Sequence, residues 1–127
     1  MGFIGDLIKV MFVNNPFYSG EFNLKEELEM DQISAGIMKV HTKAQKGGQL
    51  CNQHAADDNS QIVLEYRCNM PDNEVDWYSW KVKKIDGGYK VFLTTKITFS
   101  NGKIASGNAE VMFNSAKKWL LKNLGIK

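Results

Sequence analysis

Proline and cysteine are scarce in this chain, two of each in 127 residues, and no apolar run approaches the ~20 residues that a membrane-spanning helix requires. Those shortages argue against a proline-rich linker, a disulfide-stapled miniature fold and a helical membrane anchor. Low-complexity tracts and internal repeats are absent as well, so neither disorder nor a solenoid is indicated. The first residues, Met1-Gly2-Phe3-Ile4-Gly5-Asp6, lack the basic leader and uncharged apolar core of a signal peptide. The expectation is a soluble, cytoplasmic protein with free thiols, folded as one domain over residues 1–127. No phosphate-cradling glycine loop, nucleophile–base pair or complete metal signature is present, so the sequence calls for no cofactor and offers no residue set for catalysis.

Acidic residues are the last shortage, and this one is local. Residues 77–127 hold 2 Asp+Glu against 10 Lys+Arg, whereas residues 1–76 hold 12 against 6. A near-neutral total therefore conceals a −6 half and a +8 half. Such a split bears on partners and encounter rates, because a field of one sign attracts surfaces of the other.

The patterning predicts an α+β fold. Phe3, Ile4, Leu7, Ile8, Met11 and Phe12 recur at helical spacing, which places an N-terminal helix over about residues 2–13 before Asn14-Asn15-Pro16 stops it. Residues 14–22 read as a loop anchored by Phe17, Tyr18 and Phe22. A second helix is expected over about residues 23–44, with Asn23 capping and Glu26 returning the bond to the cap amide. Gly36 in its interior costs about 1 kcal/mol. Residues 45–60 are polar and aperiodic and read as a long surface loop.

Four runs rich in β-branched and aromatic residues follow, residues 61–70, 75–85, 89–99 and 103–112, and predict a four-stranded antiparallel meander over about residues 61–112. Closing the central hairpin at Gly87-Gly88 sets Trp80 opposite Thr95 and Tyr78 opposite Ile97 on a buried face. A bulged turn at Asn101-Gly102 would then bury Ala105, Gly107, Ala109 and Val111. A third helix, about residues 114–124, is expected to be capped by Asn114 or Ser115 and stopped at Gly125. Helices preceding a curved meander resemble cystatin-like and nuclear-transport-factor-like domains in outline, a likeness of shape that no motif residue carries.

Three constellations bear on function. The solvent face of the central hairpin collects Lys81, Lys83, Lys90 and Lys96 with Trp77 and Phe92, residue types that meet an anionic partner by charge and by π-face. A separate acidic segment offers Glu21, Glu26, Glu27, Glu29 and Asp31. Together they predict a non-enzymatic interaction domain, an adaptor, inhibitor-like partner or subunit, whose partner is another protein or a second copy of the chain. The acidic half argues against nucleic acid, and the apolar stripe of the basic terminal helix belongs in the core rather than on a membrane surface. An alternative is a small-ligand pocket lined by Tyr66, Tyr78, Trp80 and Phe99 with Met30 or Met38 as walls. A further alternative is a zinc site built from His41, Cys51, His54 and Cys68, of which only Cys51-x2-His54 has finger-like spacing. Against it, Cys68 reads as core and the two histidines as solvent-exposed loop residues.

Overall fold

The computed structural model describes residues 15–25, 27–44, 48–58 and 60–126. They form an α+β fold: a five-stranded antiparallel sheet with two helices packed on one of its faces. In chain order the elements are β1 (Phe17–Lys25), α1 (Met30–Lys39) continuing into a π-helical turn (Val40–Ala44), β2 (Gly48–Ala55), β3 (Gln61–Asn69), β4 (Glu74–Ile85), β5 (Gly88–Phe99) and α2 (Ala109–Asn123). The strand order is β1-β5-β4-β3-β2. The expected helix over residues 2–13 lies outside the described residues.

Period-two alternation builds the core. Ile62, Leu64, Tyr66 and Cys68 of β3, Tyr78, Trp80 and Val82 of β4, and Val91, Leu93 and Ile97 of β5 point to the helical side and are buried. Ile33 and Ile37 of α1 and Phe113, Ala116 and Leu120 of α2 close the interior over them. The two helices approach closely at Gly36, where an added Cβ would stand 3.0 Å from Leu124 and where Asn123 Nδ2 donates to the Gly36 carbonyl at 3.0 Å. The propensity cost of that glycine is thus offset by packing and a hydrogen bond.

Four expectations are corrected. Residues 17–25 are a strand, not a loop leading into a helix, because Tyr18, Phe22 and Leu24 alternate with outward residues and pair with β5 from Phe17↔Lys96 to Lys25↔Gly88. α1 accordingly starts later, on Glu29, whose amide donates to Gln32 Oε1 at 2.7 Å in a capping box. The polar residues 48–55 are an edge strand rather than loop, polar because almost every position faces solvent. The expected fourth strand of the meander is also absent. After Gly102 the chain makes a single bridge, Thr98↔Ile104, and α2 begins at Ala109 with Asn108 Oδ1 accepting from the amides of Glu110 and Val111. Ala105 and Ala109 are buried as expected, but Val111 is 60% exposed and Asn114 and Ser115 lie inside the helix rather than at its cap. Gly125, with φ +73, ends the helix where expected.

The β4–β5 hairpin turns at Asp86-Gly87, so Trp80 faces Leu93 and Tyr78 faces Thr95, two residues from the expected register. A two-residue slip keeps every side chain on its own face, which is why the buried set is unchanged. Gly87 supplies the positive φ of the turn. Gly88 serves a different purpose, since a Cβ there would run into the Leu24 carbonyl of β1.

Candidate functional site

The strand register sorts outward side chains into rows across the sheet. One row runs Phe17, Lys96, Trp77, Arg67, Gln49; the next on the same face runs Ser19, Thr94, Ser79, Glu65, Asn52; the third runs Glu21, Phe92, Lys81, Val63, His54. Lys83 and Lys90 pair in a fourth. All six residues expected on the binding face, Trp77, Lys81, Lys83, Lys90, Phe92 and Lys96, are therefore on one surface. Among the described residues both helices pack on the opposite side of the sheet.

Two contributors were not read from the sequence. Arg67 of β3 lies over the Trp77 ring at 5.5 Å, and Phe17 at the edge is 57% exposed. Arg67 follows from β3 alternation once β3 is paired beside β4. Phe17 could be placed only by recognising β1 as a strand. Lys81 Nζ lies 5.8 Å from the Phe92 ring, so both half-buried aromatics carry a cation of their own chain. Trp77 Nε1–H donates to Thr98 Oγ1 at 2.8 Å, which fixes the plane of the indole. Lys81, Lys83, Lys90, Lys96 and Arg67 outweigh the two carboxylates on these rows. Glu21 sits 3.8 Å from Lys90, and Glu65 accepts from Asn52 at 2.9 Å.

The acidic segment does not form one patch. Glu21 belongs to the basic face, and Glu26 lies outside the described residues. Glu29 and Asp31 line a cleft beside the β4–β5 hairpin together with Asp58, Ser60, Lys84 and Tyr89. Hydrogen bonds from Ser60 hold the Asp58 carboxyl below its ordinary range.

The helical side carries a second group of polar residues. His41, expected in solvent, is fully buried in the π-helical turn, stacked on Tyr66 with ring centres 4.3 Å apart and 4.7 Å from Tyr78. Trp80 Nε1–H donates to His41 Nε2 at 2.8 Å. An indole N–H can only donate, so Nε2 holds the lone pair and the imidazole is neutral. Tyr66, Tyr78 and Trp80, proposed from sequence as pocket lining, thus pack ring against ring around His41, while Phe99 and Met38 are exposed and line no such pocket. Further along the same face Asp76 pairs with Cys68 on one side and Ile97 on the other. Burial, then the charge and hydrogen bond of Glu74, raises the Asp76 carboxyl to about 6. Burial, the Asp76 charge and the Cys51 thiol push Cys68 up to about 11, and burial alone raises Tyr66.

The four zinc candidates do not converge. His41 and Cys68 are buried on the helical side, His54 is exposed beside Val63 on the other, and Cys51 is exposed at the bulge between Leu50 and Asn52. Among the described residues no three His, Cys, Asp or Glu side chains are placed to hold a metal. No helix among the described residues is long and apolar enough to cross a membrane.

No family model matches the chain, and no curated protein matches it. Among solved structures it is similar to a hypothetical protein from Helicobacter pylori, with 9% identity over 91% of this chain and 90% of that one and a TM-score of 0.54. That likeness is one of fold. Two weaker similarities are an uncharacterised protein from Rhizobium leguminosarum (11% identity, 85% of this chain and 91% of that one, TM-score 0.40) and the di-domain ARO/CYC protein BexL of the BE-7585A biosynthetic pathway (14% identity, 91% and 51%, TM-score 0.34). At those scores neither carries an argument.

Proposed function

We propose that the chain is a non-enzymatic protein-interaction domain whose open sheet face receives an acidic segment of a partner protein. The observation that supports this reading is the register that gathers four lysines, Arg67, Trp77 and Phe92 on one side of the sheet, away from both helices. Two features favour a protein over a nucleic acid. The Trp77 and Phe92 rings are already faced by Arg67 and Lys81, which leaves only the edge residue Phe17, among the described aromatics of these rows, as a bare ring for a base to stack on. Glu21 and Glu65 interrupt the positive rows, which suits discrete carboxylates on a partner better than a continuous run of phosphates.

The test is binding of poly-L-glutamate, with a single-stranded DNA oligonucleotide as competitor. Replacing Lys81, Lys83 and Lys96 together by Glu should weaken poly-glutamate binding at least about tenfold and flatten its salt dependence, with little change in melting temperature. All three side chains are exposed, so the fold does not depend on them. Unchanged affinity in the triple variant overturns the reading, and so does preferential binding of the DNA.

A further inference from the structure

Asp76 is the buried charge-bearing group that the sheet-face reading leaves unused. The residue is 8% exposed, its Oδ1 meets no hydrogen-bond donor among the described residues, and a polar group it does contact is another carboxyl, Glu74, two residues away on the same side of β4. An ionised carboxylate in such a place lacks both a counter-charge and full hydrogen bonding, an arrangement proteins avoid unless the group is neutral. The neighbours offer no compensation. β3 presents the Cys68 thiol, β5 presents Ile97, and β4 presents Glu74. Among the described residues the ionisable neighbours are thus another acid and a thiol, beyond which lies the Cys51 thiol, and none of these supplies a positive charge.

The position gives this a consequence. Asp76 immediately precedes Trp77, and in a strand successive side chains point to opposite faces. The carboxyl therefore lies directly behind the row Phe17, Lys96, Trp77, Arg67, at the end of β4 that also carries Val75 and the Trp77–Thr98 hydrogen bond. We infer that Asp76 is a proton-operated latch on this end of the sheet: neutral, it lets β4 close against Cys68 and Ile97, and ionised, it loosens β4 and with it the Trp77 row on the other face. The latch stands on the packing around Asp76, while its effect on binding rests on the reading of the sheet face as a docking site.

The sign follows from the raised carboxyl. A folded-state pKa of about 6 against an ordinary 3.8 means that the folded protein holds its proton where the unfolded chain has lost it. The associated stability is complete below about pH 4 and lost as pH rises to about 6 and beyond. Asp76→Asn mimics the neutral form. The melting temperature of the variant minus that of the parent should be small at pH 4, grow with pH, and level off above about pH 7 at several degrees or more. A difference that does not change with pH overturns the latch. Should the variant fold poorly, the parent chain supplies the second measurement. Amide exchange over residues 74–78, corrected for intrinsic rates, should lose protection relative to residues 89–93 as pH passes about 6, and pH-independent relative protection overturns the latch.

Binding separates the two claims. His54 also lies on the outer face, so the comparison is made in a His54→Gln background that removes the imidazole from that surface. Poly-glutamate affinity should fall several-fold between pH 5.5 and 7.5 with Asp76 present and stay constant in Asp76→Asn. No binding at any pH, with the pH-dependent melting difference intact, supports the latch and overturns the docking reading.

Discussion

His41 occupies a position whose tautomer is dictated by one neighbour. Trp80 is fully buried and its only polar atom is the indole N–H, which finds its acceptor in His41 Nε2. Trp80→Phe keeps an aromatic ring but removes the indole donor to the buried His41 Nε2. The expected cost is about 1–3 kcal/mol, read as a lower urea midpoint with an unchanged slope. Sequence reasoning placed Trp80 in the interior correctly, because alternation along β4 is strict. It could not place His41, since a lone polar residue carries no periodicity and its burial depends on the π-helical turn bringing it beneath three aromatic rings. The same limit applies to Asp76: as one of a run of carboxylates with Asp72 and Glu74 it reads as solvated loop, and its burial against Cys68 and Ile97 is a property of the strand pairing in space.

Among the elements, β3, β4 and β5 were legible and β1, β2 and the start of α2 were not. The legible strands are buried on one face and half-covered on the other, so hydrophobicity itself reports the period. β2 is solvated on nearly every residue, and its polarity imitates a loop. In β1 two short-range signals competed: Asn23 with Glu26 matched a capping box, and the alternation of Tyr18, Phe22 and Leu24 won because β5 offers a long partner. The true box is Glu29 with Gln32, six residues on. At the other helix, Asn108 halts the strand-like pattern of residues 103–112 by satisfying two amides of the first turn. Asn108→Ala should destabilise the protein by about 1 kcal/mol, and Asn108→Asp should restore most of it, both measured by chemical denaturation.

For the molecule as a whole, the two thiols give a built-in probe of global opening. Cys51 is exposed, whereas Cys68 is buried and its thiol is pushed up to about 11. A disulfide-exchange reagent at pH 8 should therefore consume one thiol promptly, and the second only at the rate at which the sheet opens. Denaturant should merge the two phases into one, and equal rates in native buffer would place Cys68 outside the core. The charge split seen along the sequence is only partly a split in space. The basic half supplies Lys81, Lys83, Lys90 and Lys96 to one surface, but Glu21 from the acidic half lies among them, beside Lys90. The sheet order explains this, because β1 from one half of the chain pairs with β5 from the other.

That pairing also sets a timetable. Lys25 pairs with Gly88 and Phe17 with Lys96, so the first strand has no partner until the fifth has been made. A ribosome adding ~5–20 residues per second needs several seconds to cover that interval of ~60–80 residues. Throughout it Phe17, Tyr18, Phe22 and Leu24 emerge as an unpaired β-segment, while α1 and the hairpins of β2, β3 and β4 can form from neighbours close in the chain. The nascent chain, rather than the finished protein, is thus where this fold is most open to chaperone capture or to wrong pairing with another copy.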